Sequence, residues 1–285
     1  MSKRSWRRLA WGCILTVIPS SLFAVDGVVL IDQSHALAGN ITPGDAPGFP
    51  VTISQSGSYR LSGNLIVPDA NTTAILITAD FVTLDMNGFS IMGPGTCTGT
   101  FPTTPTKCSS TGTGIGVQAG SVNEEVPGPK ATKVFNGAVR GMGSTGLFLL
   151  GDGSYIEKVT ADSNAGFGFL VNGSVVQSTA NLNGQAGITA ITVRDCVASS
   201  NGREGVDIDN DGVGSNISAF FNGGSGIRVF NGSVTNSTAS QNIAFGFDLV
   251  CPSAIVNNTI VANKQGAIVQ DGNTGCQIIN DAIRQ

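Results

Sequence analysis

The sequence predicts an all-β protein, a single right-handed parallel β-helix: a solenoid of coils about twenty residues long behind an N-terminal cap. Three observations predict it. A glycine recurs every 18 to 22 residues, an Ala-x-x-Asn unit precedes most of these glycines, and the chain is apolar and Gly-rich with few charges.

Gly146, Gly168, Gly187, Gly205, Gly226, Gly246 and Gly266 are separated by 22, 19, 18, 21, 20 and 20 residues. Each opens a triplet with apolar first and third members, from Leu147-Phe148-Leu149 to Ala267-Ile268-Val269. The middle members vary: Phe148, Leu170, Thr189, Asp207, Arg228, Asp248 and Ile268. Alternation with a period of two buries one side of a strand and leaves the other free to vary. Ahead of the glycines run Asn164, Asn183, Asn201, Asn222, Asn242 and Asn263. Three residues before these stand Ala161, Ala180, Ala198, Ala219, Ala239 and Ile260. Further upstream, Ile156, Val175, Val193, Val234 and Ile255 mark a second strand. An asparagine fixed at one turn position can stack its amide on the next coil's, and asparagine tolerates left-handed backbone angles.

Other solenoids fit less well. A leucine-rich repeat places Asn after its Leu-x-Leu strand, whereas here Asn comes first, and the 18-to-22 spacing breaks a strict six-residue phase. No ten-residue stretch has a 3.6-residue period, which removes helical repeats. Right-handed winding is the default for parallel crossovers.

Residues 1–24 read as a secretory signal: Lys3, Arg4, Arg7 and Arg8, a mostly apolar run from Leu9 to Pro19, then Ser20, Ser21 and Ala24 as a polar, small-residue exit. The apolar run is shorter than the roughly 20 residues that span a bilayer, so no membrane span is expected. Residues 25–50 read as a cap shielding the first coil's strand edges. Residues 51–285 are the solenoid. Two excursions interrupt its early coils, Gly93–Gly114 and Ala119–Thr132, the second carrying Glu124 and Glu125. Cys97 and Cys108 flank the first excursion and are expected to staple it, while Cys251 and Cys276 lie about one coil apart and are expected to form a second bridge. Cys196 occupies an apolar repeat position and reads as a buried small hydrophobe.

Without residues 1–24, 11 basic residues (15 − 4) face 19 acidic ones, a net charge of −8. That excess argues against nucleic acid as a partner, since binding it requires Lys and Arg to neutralise phosphates. Trp6 and Trp11 leave with the signal, so no tryptophan platform remains. The compartment expected is periplasmic or extracellular.

The repeat, together with Phe81-Val82-Thr83-Leu84-Asp85-Met86-Asn87-Gly88-Phe89-Ser90-Ile91, resembles the pectin-lyase-like superfamily of right-handed β-helix proteins over roughly residues 50 to 285. That superfamily holds lyases, hydrolases, epimerases, adhesins and tailspikes, so the resemblance implies a fold and leaves the chemistry open.

Asp207-Ile208-Asp209-Asn210-Asp211-Gly212 matches the opening half of a calcium loop, with Asp207, Asp209 and Asp211 as oxygen ligands. The closing acid is missing, because Ser218 stands at the twelfth position. Aligned coils put Asp207, Arg228 and Asp248 in one outward column at steps of about 4.8 Å. The resemblance implies a calcium-dependent polyuronate lyase reading, with Arg228 as base and Asp207 and Asp248 against the sugar. Phe148, Leu170 and Phe230 face outward as stacking surfaces. The alternative for the column is an ion-pair ladder worth at most ~1 kcal/mol per pair. His35, the one histidine, reads as structural. Two functions follow: a surface β-helix binding glycans or other partners through its outward faces, and a calcium-dependent lyase acting on an extracellular or cell-surface polysaccharide. The missing closing acid and the absence of a hydrolase-type His-Gly favour the first.

Overall fold

The computed structural model describes residues 27–100, 104–121, 127–271 and 275–284, so the signal segment and Glu124–Glu125 lie outside the described residues. The chain winds as a right-handed parallel β-solenoid of about 10 turns. Three faces repeat in every full coil. The first runs from Val51–Ile53 through Ile75–Ile77, Val117–Ala119 and the triplets that follow the repeat glycines, to Gly266–Asp271. The second begins at Val28–Ile31, passes Gly57–Leu61 and Val82–Asp85, and ends at Gln277–Ile279. The third runs from Leu65–Ile66 to Ala282–Arg284.

The interior is built from the recurring apolar positions. Ala161, Ala180, Ala198, Ala219, Ala239 and Ile260 stack directly on one another on the third face, each 0% exposed. Alanine keeps that face close to the axis, and larger residues on the other two fill the space. On the second face Ile156, Val175, Val193, Val234 and Ile255 form the inward column, with Gly214 standing in for one coil. Ile217, Val234 and Ile208 crowd round that glycine and take up the missing volume.

The asparagine ladder is complete from Asn164 to Asn263. Each Nδ2 donates to the next Oδ1 at 2.9–3.0 Å, and each Oδ1 also accepts the backbone N–H of the preceding ladder residue. The second amide hydrogen goes to a buried carbonyl such as that of Ala161 or Ala180. The ladder also explains the glycines. A methyl group on Gly187 would stand 2.5 Å from Asn201 Nδ2 and 2.7 Å from the carbonyl of Gly205.

Two expectations need correction. The left-handed residue of this turn is the one before each ladder asparagine: Ser163, Leu182, Ser200, Phe221, Gln241 and Ala262, at φ 52–59°. Asparagine takes that conformation at the other short turn, as Asn216, Asn236, Asn257 and Asn280. The last triplet is also displaced by one residue: Ile268, not Ala267, pairs with Phe247, and Val269 follows Asp248 in the outward column. Gly266, at φ 140° and opposite Phe245, absorbs the extra residue.

At the N-terminal end, Val28–Ile31 already belongs to the second face. Helix α1, Gln33–Ala38, follows and lays Ala36 on the core. Asp32 caps it, accepting from Ser34 Oγ and from the N–H of His35, and these bonds hold its carboxyl down at about 2. The Gln33 amide bonds both the N–H and the carbonyl of Ile66, doing at this sheet edge what a neighbouring strand would do. Both expected disulfides form, Cys97–Cys108 and Cys251–Cys276. Cys196 is a buried free thiol pushed up to about 11 by burial.

Candidate functional site: the outward column of the first face

Between the inward positions of the first face runs one continuous outward column: Leu76, Gln118, Phe148, Leu170, Thr189, Asp207, Arg228, Asp248 and Val269, one per coil. Parallel in-register strands impose this stacking, so residues 20 apart in sequence stand ~4.8 Å apart in space. The first excursion folds as a hairpin, Cys97–Thr100 against Thr104–Cys108. It lies along the turns that lead into this face, with Thr106 Oγ1 donating to the carbonyl of Ser200 at 2.5 Å. The second excursion borders a cavity of about 730 Å³ at the column's upstream end, lined by Leu76, Thr78, Asp80, Gln118, Pro129 and Lys130.

The column changes character along its length. Phe148, expected as an open stacking surface, sits in the outward register but is 5% exposed, so no sugar ring can lie on it. Leu170 is half-buried. Beyond it come four polar side chains in succession: Thr189, Asp207, Arg228 and Asp248. Arg228 Nε lies 3.3 Å from Asp248 Oδ2, yet the N–H is not directed at that oxygen, so the attraction is coulombic and Nε keeps no hydrogen bond. The guanidinium carbon lies 4.4 Å from the ring centre of Phe230, which holds the plane of the cation over an aromatic face.

Burial, the charge of Glu204 and that of Asp248 push the Asp207 carboxyl up to about 7, against the pull of Arg228. Asp248 is raised by burial against the same cation, with Asp271 and Glu204 adding to the shift. Thr189 Oγ1, Asp207 Oδ1, Arg228 Nε and Asp248 Oδ1 are all buried without a hydrogen-bond partner. Among the described residues only Asp281 Oδ2 shares that condition.

The calcium ligands do not assemble. Ala190 pairs with Ile208 and Thr192 with Val213, so residues 209–212 loop out where the neighbouring coil has Ile191 alone. Asp207 stays half-buried on the strand, while Asp209 is exposed and Asp211 is exposed at φ 58° in the loop. Among the described residues, no group of three or more His, Cys, Asp or Glu side chains is placed to hold a metal ion. Spacing along the chain matched a metal loop, but the strand geometry disperses the oxygens. Arg228, assigned the part of base, is engaged by Asp248 and Phe230. Sequence reasoning identified Asp207, Arg228, Asp248 and Phe230 but missed Glu204 and Thr189. Thr189 occupies the same middle position in its own triplet, which was the signal available.

The fold is a right-handed parallel β-helix, and solved structures share it. The A-module of mannuronan C-5 epimerase AlgE4 from Azotobacter vinelandii aligns with a TM-score of 0.54 at 16% identity, over 92% of this chain and 94% of that one. A mutant form of the periplasmic alginate epimerase AlgG aligns at 9% identity over 82% of this chain and 76% of its own, with a TM-score of 0.47. Tailspike protein 2 of Escherichia coli bacteriophage CAB120 aligns at 12% identity over 80% of this chain and 38% of its own, with a TM-score of 0.35. No protein-family model and no curated protein matches the sequence. At these identities the likeness concerns the fold alone. Among the described residues, no helix is long and apolar enough to cross a membrane.

Proposed function

We propose that the chain is an exported carbohydrate-binding β-helix that takes the hydroxyl groups of a glycan along Thr189, Asp207, Arg228 and Asp248. One observation carries this: four buried polar atoms without partners stand on four consecutive rungs. Buried polar groups are almost always paired, and each one left unpaired costs about 1–3 kcal/mol. A row of them is therefore a row of unmet hydrogen-bonding capacity, which the hydroxyl groups of a ligand would satisfy once side-chain rotation opens these atoms to it. Carboxylates accept, the guanidinium donates, and the threonine hydroxyl does both; a sugar hydroxyl also does both. Carboxylates outnumber cations here, with Asp207, Asp248 and Glu204 against Arg228. That balance favours an uncharged sugar over a polyuronate. Two disulfides and the expected signal segment support an oxidising compartment.

The fold shared with a mannuronan epimerase makes alginate a sensible probe beside neutral glycans. Affinity electrophoresis through xylan, galactan, dextran, alginate and polygalacturonate is the test. At least one neutral glycan should retard the protein, and Arg228→Ala should weaken retardation about tenfold, or ~1.4 kcal/mol. Thr189→Val should weaken it too. No retardation on any polymer defeats the proposal. Release of reducing or unsaturated ends would replace binding by catalysis.

A further inference from the structure

On the reading of the first-face column as a glycan site, we infer that Glu204 is its specificity-determining residue: it keeps carboxylated sugars out of a groove that admits uncharged ones. A turn residue precedes each glycine that opens a first-face triplet, and these residues stack coil on coil: Thr145, Phe167, Ala186, Glu204, Ser225 and Phe245. Five of the six carry no charge. Glu204 interrupts the row on the coil that carries Asp207, three residues ahead of it.

The surroundings leave room for this side chain and give its charge no partner. Ala186 and Ser225, on the flanking coils, are short. A methyl group on Gly224 would stand 2.8 Å from Glu204 Oε1, so the carboxylate reaches over the next coil into space that a glycine leaves open. Arg203, beside it in the chain, is exposed, and neither residue belongs to an ion pair among the described residues. Arg228 is taken by Asp248. The charge of Glu204 nevertheless falls on the column. After burial it is the leading cause of the upward shift at Asp207, ahead of Asp248 and Asp209. At Asp248 burial again leads, and Glu204 adds to the rise together with Asp271, against Arg228. A half-buried carboxylate placed beside two others opposes folding through like-charge repulsion. A uronate carboxylate entering the column would meet the same repulsion, whereas a neutral hydroxyl would not. Discrimination against a wrong ligand needs a repulsive element of this kind, one that the right ligand does not feel.

Affinity electrophoresis of the full chain through polygalacturonate and alginate at pH 5.5 is the test, because burial there keeps Asp207 protonated with or without Glu204. Glu204→Gln should tighten binding to at least one of these polymers about fivefold, and the gain should shrink as salt is added. The variant should also melt above the parent at pH 8, which separates a change of selectivity from loss of fold. Glu157→Gln removes an equal charge from the second face, where Glu157 pairs with Phe135, and should leave both polymers at the parent's affinity. No gain in Glu204→Gln, or an equal gain in Glu157→Gln, overturns the assignment. If the parent binds neutral glycans and Glu204→Gln gains nothing, the role of Glu204 falls alone. If the parent binds none and the variant still gains a polyuronate, the neutral-glycan reading falls and the role of Glu204 stands.

Discussion

Asn201→Ala is expected to lower folding stability by about 3–5 kcal/mol, a large effect for one exchange of a neutral side chain. The side chain is 0% exposed and takes part in four hydrogen bonds: two donated, to the Ala180 carbonyl and Asn222 Oδ1, and two accepted, from the backbone and amide nitrogens of Asn183. Asn183 Nδ2 keeps Ala161, and Asn222 Oδ1 keeps the backbone N–H of residue 201. The Asn183 N–H and the Ala180 carbonyl lose these bonds in a site that water does not reach. Two such losses at ~1–3 kcal/mol each, with a small cavity added, give the stated range. Asn263→Ala removes the last rung, which is only part-buried, and should cost about 1 kcal/mol. Urea unfolding followed by circular dichroism measures both. Equal midpoints for the two variants would show that the ladder is not the element that holds the coils in register.

That ladder was readable before any coordinates because it is periodic. A residue that must meet its own equivalent one coil away has to recur, and Asn201, Ala198 and the glycine at 205 recur together. The outward column Asp207, Arg228, Asp248 followed from the same counting and stands in the predicted order. What escaped was aperiodic. Ser163, Leu182, Phe221 and Ala262 share a left-handed backbone with no common side-chain chemistry, since closing the turn against the ladder imposes it. The slip at Gly266 needs one extra residue, which a tolerant spacing of 18 to 22 conceals. The apparent calcium loop was read from spacing along the chain alone. Three acids at alternate positions look convergent along the chain, but the loop at 209–212 separates them from the strand that carries Asp207.

Lowering the pH from 8 to 5 is expected to stabilise the protein through Asp207, by about 2–4 kcal/mol. Its carboxyl titrates near 7 in the folded chain, with burial the leading cause and the charges of Glu204 and Asp248 next, against 3.8 unfolded. Between these values the folded state holds a proton that the unfolded state has released. The bound-proton difference, unfolded minus folded, is then −1, and stability falls as pH rises. The stabilisation is full below about 4, is lost as pH climbs to about 7, and changes no further above that. Asp248, raised in the same direction, adds to the trend. Asp207→Asn keeps the shape without the ionisation, so the variant should exceed the parent in melting temperature at pH 8 and lose most of the slope between pH 5 and 8. The same proton governs the proposed binding column. Below neutrality Asp207 is a hydrogen-bond donor beside an Arg228–Asp248 pair that is neutral overall, and above neutrality the column carries excess negative charge. Affinity for a neutral glycan should therefore persist across this range, while any weak affinity for a polyuronate should appear only on the acid side. A parent protein whose melting temperature is flat or rising from pH 5 to 8 would mean that Asp207 is ionised throughout, and the buried column would then have to be hydrated far more freely than its geometry indicates.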